Sequence, residues 1–203
     1  MRPKYYIEGI PFENFCVGVK LESEGFDHGL ERKEVTTVNW AGQHGVQRDY
    51  GSIFFQPRTI RLRILATDRD KYSRFFAMFT VPRPVRITRE LCNTQQHFDV
   101  YLSSPSRAAT FVNGEIEEEL TLSEDNPVKR VFLCAGGVAR ISISSEHALT
   151  VSWGDTQFES NVFDGNLEHF YTDNDIIHFV VISGRVAEAE IITSLQNVEN
   201  VFS

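Results

Sequence analysis

Several residue patterns are missing from this 203-residue chain, and each absence removes a class of function. No apolar run reaches the roughly 18 residues that a bilayer-spanning helix needs, so no membrane helix is predicted. Cysteine is scarce: Cys16, Cys92 and Cys134 are odd in number, widely scattered and form no CxxC pair. That argues against disulfides and cysteine metal sites and predicts buried free thiols in a reducing compartment. The sequence has no G-x-S-x-G nucleophile elbow and no phosphate-cradling glycine loop. The run Glu117-Glu118-Glu119 would throw its carboxylates to alternate faces of a strand. The expectation is a protein that is not an enzyme and holds no cofactor. The basic start MRPKYYIEGIPFENF is broken by Glu8, Pro11 and Glu13 where a signal peptide needs its apolar centre, so no signal peptide is expected.

Basic residues are also in short supply, 20 against 28 acidic, for a net charge of -8. The deficit is uneven. Residues 127–203 hold 4 basic and 10 acidic side chains, a net -6, while residues 1–126 hold 16 and 18, a net -2. Within the first part, residues 48–89 carry ten Arg or Lys against three Asp, the one basic stripe in the chain. An acidic whole excludes general nucleic-acid affinity, which needs a dominant basic face. Phenylalanine is abundant (16 residues), which fits packed β architecture.

Most of the chain reads as β. In RTIRLRIL (58–65), Ile60, Leu62 and Ile64 share one face and the arginines the other. HFDVYL (97–102) alternates similarly; IEEELTL (116–122) alternates less well, because Glu118 falls on the face of Ile116, Leu120 and Leu122. Further strands are predicted at 129–135, 139–143, 148–153, 176–182 and 186–192. One helix is predicted over about 67–80, where Tyr72, Phe75, Phe76 and Phe79 form a single stripe. Thr67 is placed to cap it, and Val81-Pro82-Arg83-Pro84 to end it. The glycine-bearing loop 36–57 lacks periodicity, and loops of that length are usually functional or packed on a partner. A proline-containing acidic turn, EDNPVKR (124–130), sets the expected boundary between domains 1–126 and 127–203.

Residues 1–126 resemble the N-terminal domain of phage distal tail (Dit-like) proteins and related tail-tube hub components. The resemblance lies in YYIEGIPFENF, the Trp40-Ala-Gly…His-Gly segment, the strand QPRTIRLRIL, the helix after it, VRITREL, VYLSS and a last strand before Asn126-Pro127. It implies a β-barrel-like domain that assembles into a ring, typically a hexamer, with the loop 36–57 as an arm to the next subunit. Trp40, Tyr50, Arg58, Arg61 and Arg63 then become interface candidates, the three arginines lying outward and pairing with acidic residues of a neighbour. An ordinary solvated strand face accounts for the arginines equally well, since exposed ion pairs contribute only ~0–1 kcal/mol. A basic lumen gripping DNA is disfavoured, because tight phosphate binding would retard the DNA passing through it.

Residues 127–193 are similar to polycystic-kidney-disease (PKD) type immunoglobulin-like domains, through Trp153-Gly154-Asp155, then His169-Phe170-Tyr171, then HFVVISG (178–184), preceded by ARISISSEHALTVSW as a strand pair. Thr156 stands where that family usually has glycine, which predicts a looser turn. Trp153 is expected on the inner face, Gly154 in a tight turn with Asp155 accepting backbone N–H groups, and His169 and Tyr171 side by side pinning it. This makes the stretch structural. The oxygen-rich TDNDIIH, with Asp173, Asp175 and His178, is a weak calcium candidate lacking the loop glycine and distal glutamate of an EF-hand. His169 and His178 have no third zinc ligand at suitable spacing.

The expected fold is therefore mostly β in two domains, a β-barrel-like tail-hub domain with one helix followed by an immunoglobulin-like β-sandwich. The expected role is a ring-forming structural component of a phage or prophage tail, assembled in the bacterial cytoplasm, whose partners are its own copies and other tail proteins. The alternative is a monomeric binding module whose second domain recognises glycan or protein, with Phe158, Phe163 and Phe170 either at its loops or in its core.

Overall fold

In a computed structural model the described residues are 2–27, 29–33, 37–38, 47–48, 55–92, 94–105, 109–110, 114–173 and 176–201. The first part contains β1 (Lys4–Ile7), β2 (Ile10–Pro11), β3 (Val17–Val19), β4 (Thr37–Val38), β5 (Gln47–Arg48), β6 (Arg58–Ala66), the helix α1 (Arg69–Ala77), β7 (Val85–Leu91), β8 (Thr94–Pro105), β9 (Ala109–Thr110) and β10 (Ile116–Glu124). Eight of these strands form one sheet in the order β2-β1-β7-β8-β10-β6-β3, with β9 beside β10; β4 and β5 make a separate ribbon within the loop 36–57.

Alternation explains the sheet's inner face. Ile60, Leu62, Ile64 and Ala66 of β6 are fully buried and pair in register with Leu122, Leu120, Glu118 and Ile116 of β10. The helix closes this core: Phe75 is buried edge-on to Phe12 and Phe79, while Tyr72 and Phe76 pack at its margin. Its N-cap is Asp68 rather than the expected Thr67. The Asp68 carboxylate accepts from the N–H groups of Asp70 and Lys71 at 3.0 Å, and a charged cap in the field of the helix dipole outcompetes a hydroxyl.

The second part holds β11 (Lys129–Ala135), β12 (Val138–Ser152), β13 (Phe158–Phe170), β14 (Ile177–Ser183), β15 (Glu190–Thr193) and β16 (Gln196–Val201). They form one curled six-stranded sheet in the order β13-β12-β14-β11-β16, with β15 also on β12. The strands expected separately at 139–143 and 148–153 are one 15-residue strand, β12. Its first half lies between β13 and β15 and its second half between β13 and β14, so a single bent strand serves both sides of the core of Phe132, Ile141, Leu149, Trp153 and Val180. The strand expected at 186–192 shortens to Glu190–Thr193, because Glu188 N–H bonds back to Arg185 O in a turn and Val186 is buried there instead. β13 escapes the periodicity because most of its side chains, Phe158, Phe163 and Phe170 included, are exposed.

Candidate functional site

The arginine strand β6 divides by parity. Arg61 and Arg63 point outward and are already paired within the chain, Arg61 with Glu24 at 3.4 Å and Arg63 with Glu119 at 2.6 Å. Arg58 does not join them. It has the parity of Ile60, so its side chain is turned inward, 5.5 Å from the centre of the Phe98 ring and 3.5 Å from Glu124. Trp40 and Tyr50 lie outside the described residues.

The Trp-Gly-Asp stretch forms a closed turn. Trp153 N–H donates to Gln157 O at 2.9 Å, and Gln157 N–H to Asp155 Oδ1 at 3.2 Å. His169 Nε2 sits 2.8 Å from Asp155 Oδ2 while its ring stacks on Trp153, and the Tyr171 hydroxyl donates to Trp153 O at 2.8 Å. Burial pushes the Tyr171 hydroxyl well above its usual range, so it remains a donor. The turn is not loose: Thr156 itself adopts the left-handed conformation, at φ 74°, that a glycine would take without strain.

Gly154 has a second role that the sequence did not reveal. At φ +91° it packs on the backbone of β14, where an added Cβ would lie 2.8 Å from Phe179 O and 3.3 Å from Arg86 Nη1. The missing side chain leaves room for Arg86, a residue of β7, to reach across. Its guanidinium grips Asp99 of β8 at 2.9 Å and donates to the backbone oxygens of Phe179 and Ser152 in the second sheet. Burial alone would raise the Asp99 carboxyl, but the charge and hydrogen bonds of Arg86, with Lys129 nearby, outweigh it and hold Asp99 below the usual carboxylate range.

Beside this clamp lies a second one. Glu124 ends β10 and Lys129 begins β11, so EDNPVKR is no solvated turn at its ends: both side chains are 2 % exposed and meet at 2.5 Å. The Lys129 ammonium also donates to His97 O and lies 4.7 Å from the centre of the Phe98 ring. Burial raises the Glu124 carboxyl despite Lys129 and Arg58. His97 packs against Phe179 with ring centres 4.3 Å apart and planes inclined at 33°, and holds Thr88 Oγ1 at 3.0 Å from its Nδ1. Burial, and then the Arg86 charge, lower its pKa to about 3, leaving it neutral. Arg86, Asp99, His97, Glu124 and Lys129 thus form a desolvated seam between the sheets. Sequence reasoning missed it because its members belong to separate strands, although the inward parity of Glu124 relative to Leu122 was a readable signal.

The remaining chemical candidates are dispersed. Asp175 lies outside the described residues, and among the described residues no three His, Cys, Asp or Glu side chains are grouped to hold a metal. Cys134 is buried and its thiol is pushed up by burial, the reverse of nucleophile activation, whereas Cys92 is exposed at a turn, contrary to the expected burial of all three thiols.

No family model matches the chain, and no curated protein matches it significantly. Among solved structures it is similar to the Dit protein of phage SPP1, described as a paradigm of the hub adsorption apparatus in phages infecting Gram-positive bacteria, at TM-score 0.50 and 10 % identity over 98 % of this chain and 100 % of that one. A chain of the phage p2 baseplate in its activated conformation aligns at TM-score 0.49 and 9 % identity over 90 % of this chain and 98 % of that one. The likeness to the SPP1 protein is one of fold, and it runs the length of both chains.

Proposed function

We propose that this chain is a structural, ring-forming component of a phage or prophage tail, of the distal-tail or hub kind, acting through assembly and protein contacts rather than catalysis. One observation carries the reading: the fold follows a phage Dit protein through both sheets, over 98 % of this chain. In this reading residues 1–126 form the hub domain and residues 127–203 a PKD-type immunoglobulin-like domain, and the protein resides in the virion tail. The Trp153–Asp155 turn pinned by His169 and Tyr171 supports the PKD-type assignment. No described helix is long and apolar enough to cross a membrane.

A ring of identical subunits needs heterologous contacts that close by rotation. The proposed contacts are the arm 36–57, with Trp40 and Tyr50, and the outer face of β6, where the exposed pairs Arg61–Glu24 and Arg63–Glu119 exchange partners with the next copy. Light scattering across protein concentration, at two salt levels, tests this, with electron microscopy of the product. Rings of a single size that weaken with salt are expected, and Trp40→Ala with Tyr50→Ala should return them to monomers. A monomer at every concentration and salt level sinks the ring reading. The exposure of Phe158, Phe163 and Phe170 favours a second reading, a monomeric binding module that recognises protein or glycan through the second domain.

A further inference from the structure

β13 is an outer strand of the second sheet and, among the described residues, pairs with β12 alone. At 13 residues it is about twice the usual strand length. Its free side presents backbone N–H and C=O groups that would accept another strand. From Gly165 to Phe170 it runs in unbroken register with Ile143 to Val138, and with Gly165 itself at φ +145° the regular stretch of edge is Asn166–Phe170. Lysine and proline, which sheets use to blunt such edges, are absent from residues 158–170. Phe158, Phe163 and Phe170 instead stand along it, 37 %, 48 % and 65 % exposed.

Charge selects the kind of occupant. Glu159, Asp164 and Glu168 lie on the strand with no Lys or Arg among them. Even counting Arg140 of β12, which meets Glu168 at 2.6 Å, the edge remains net negative. A second β13 laid against the first would oppose acid to acid, whereas a strand bearing Lys or Arg would form attractive cross-strand pairs. We propose that β13 is a docking edge for an extended segment of a partner protein in which basic and apolar residues alternate. The segment's main chain hydrogen-bonds along Asn166–Phe170, its basic side chains lie on the face of Asp164 and Glu168, and its apolar side chains lie on the opposite face beside Leu167. This inference depends on the sheet edge and not on whether the first domain forms rings.

The test titrates the full chain with a short fluorescent peptide alternating lysine and valine, a glutamate–valine counterpart, and the lysine–valine peptide N-methylated on one hydrogen-bonding edge. Anisotropy reads binding and amide hydrogen exchange reads its place. The lysine peptide is expected to bind roughly tenfold tighter than the glutamate peptide, to slow exchange at residues 166–170, and to lose binding on N-methylation. Asp164→Lys combined with Glu168→Lys should invert the preference between the two peptides. Absence of binding at millimolar peptide overturns the proposal. So does binding that survives N-methylation, which would be charge attraction without strand addition. Exchange protection of β13 that grows with protein concentration alone would assign the edge to a second copy and equally overturn it.

Discussion

His97 offers a direct measurement of how dry the seam between the sheets is. In the unfolded chain its imidazole takes up a proton near 6.5, but in the fold only near about 3. The unfolded state therefore binds more protons as the pH falls below 6.5. The stability contributed by keeping His97 neutral is complete above that value and is lost progressively down toward 3. With those two values the loss at pH 5 is ~2 kcal/mol. Two neighbours act in other ways. Asp99, held low by Arg86 against the effect of burial, keeps its contribution until the pH drops below the usual carboxylate range. Glu124, raised by burial, takes up a proton more readily in the fold and so offsets part of the acid loss. His97→Gln leaves both carboxylates in place, so the difference between the two proteins isolates the imidazole. Urea unfolding at pH 7.5 and pH 5 should show the wild type losing about 2 kcal/mol more than the variant over that interval. Parallel profiles would mean that His97 is solvated or compensated in the fold, and the desolvated seam would have to be abandoned.

Other substitutions test the seam and turn separately. Lys129→Met removes the nearer cation from the buried Glu124 carboxylate, leaving Arg58 at 3.5 Å, and should destabilise the fold by ~3 kcal/mol; adding Glu124→Gln should recover much of that in chemical unfolding. Gly154→Ala forces a Cβ to 2.8 Å from Phe179 O at φ +91°, and should reduce stability by ~3 kcal/mol while increasing proteolysis between Glu124 and Lys129. Thr156→Gly relieves the left-handed threonine and should raise stability by about 0.5–1 kcal/mol, net of the extra freedom glycine gains when unfolded, as read from the shift in the urea midpoint.

Local chemistry, read from the sequence alone, determined the elements whose signal lies within one segment. The alternation of β6, the aromatic stripe of α1 and the proline stop after Thr80 each need only neighbouring residues to be legible. The Trp153, His169 and Tyr171 positions were readable as a constellation as well, since their spacing reflects a turn and the strand that pins it. Tertiary structure decided what depends on pairing. β12 reads as two strands because its middle, Ser144–His147, breaks the apolar pattern; only β13, which pairs with both halves, holds it as one. β13 hides because an edge strand buries too few side chains to leave a period. Arg58 could be turned inward only once Glu124 and Phe98 from other strands were there to receive it. The charged seam has the same cause: a buried Lys or Arg is tolerable only where distant residues bring its counter-charge and acceptors into contact, and no stretch of sequence contains Arg86, Asp99, Glu124 and Lys129 together.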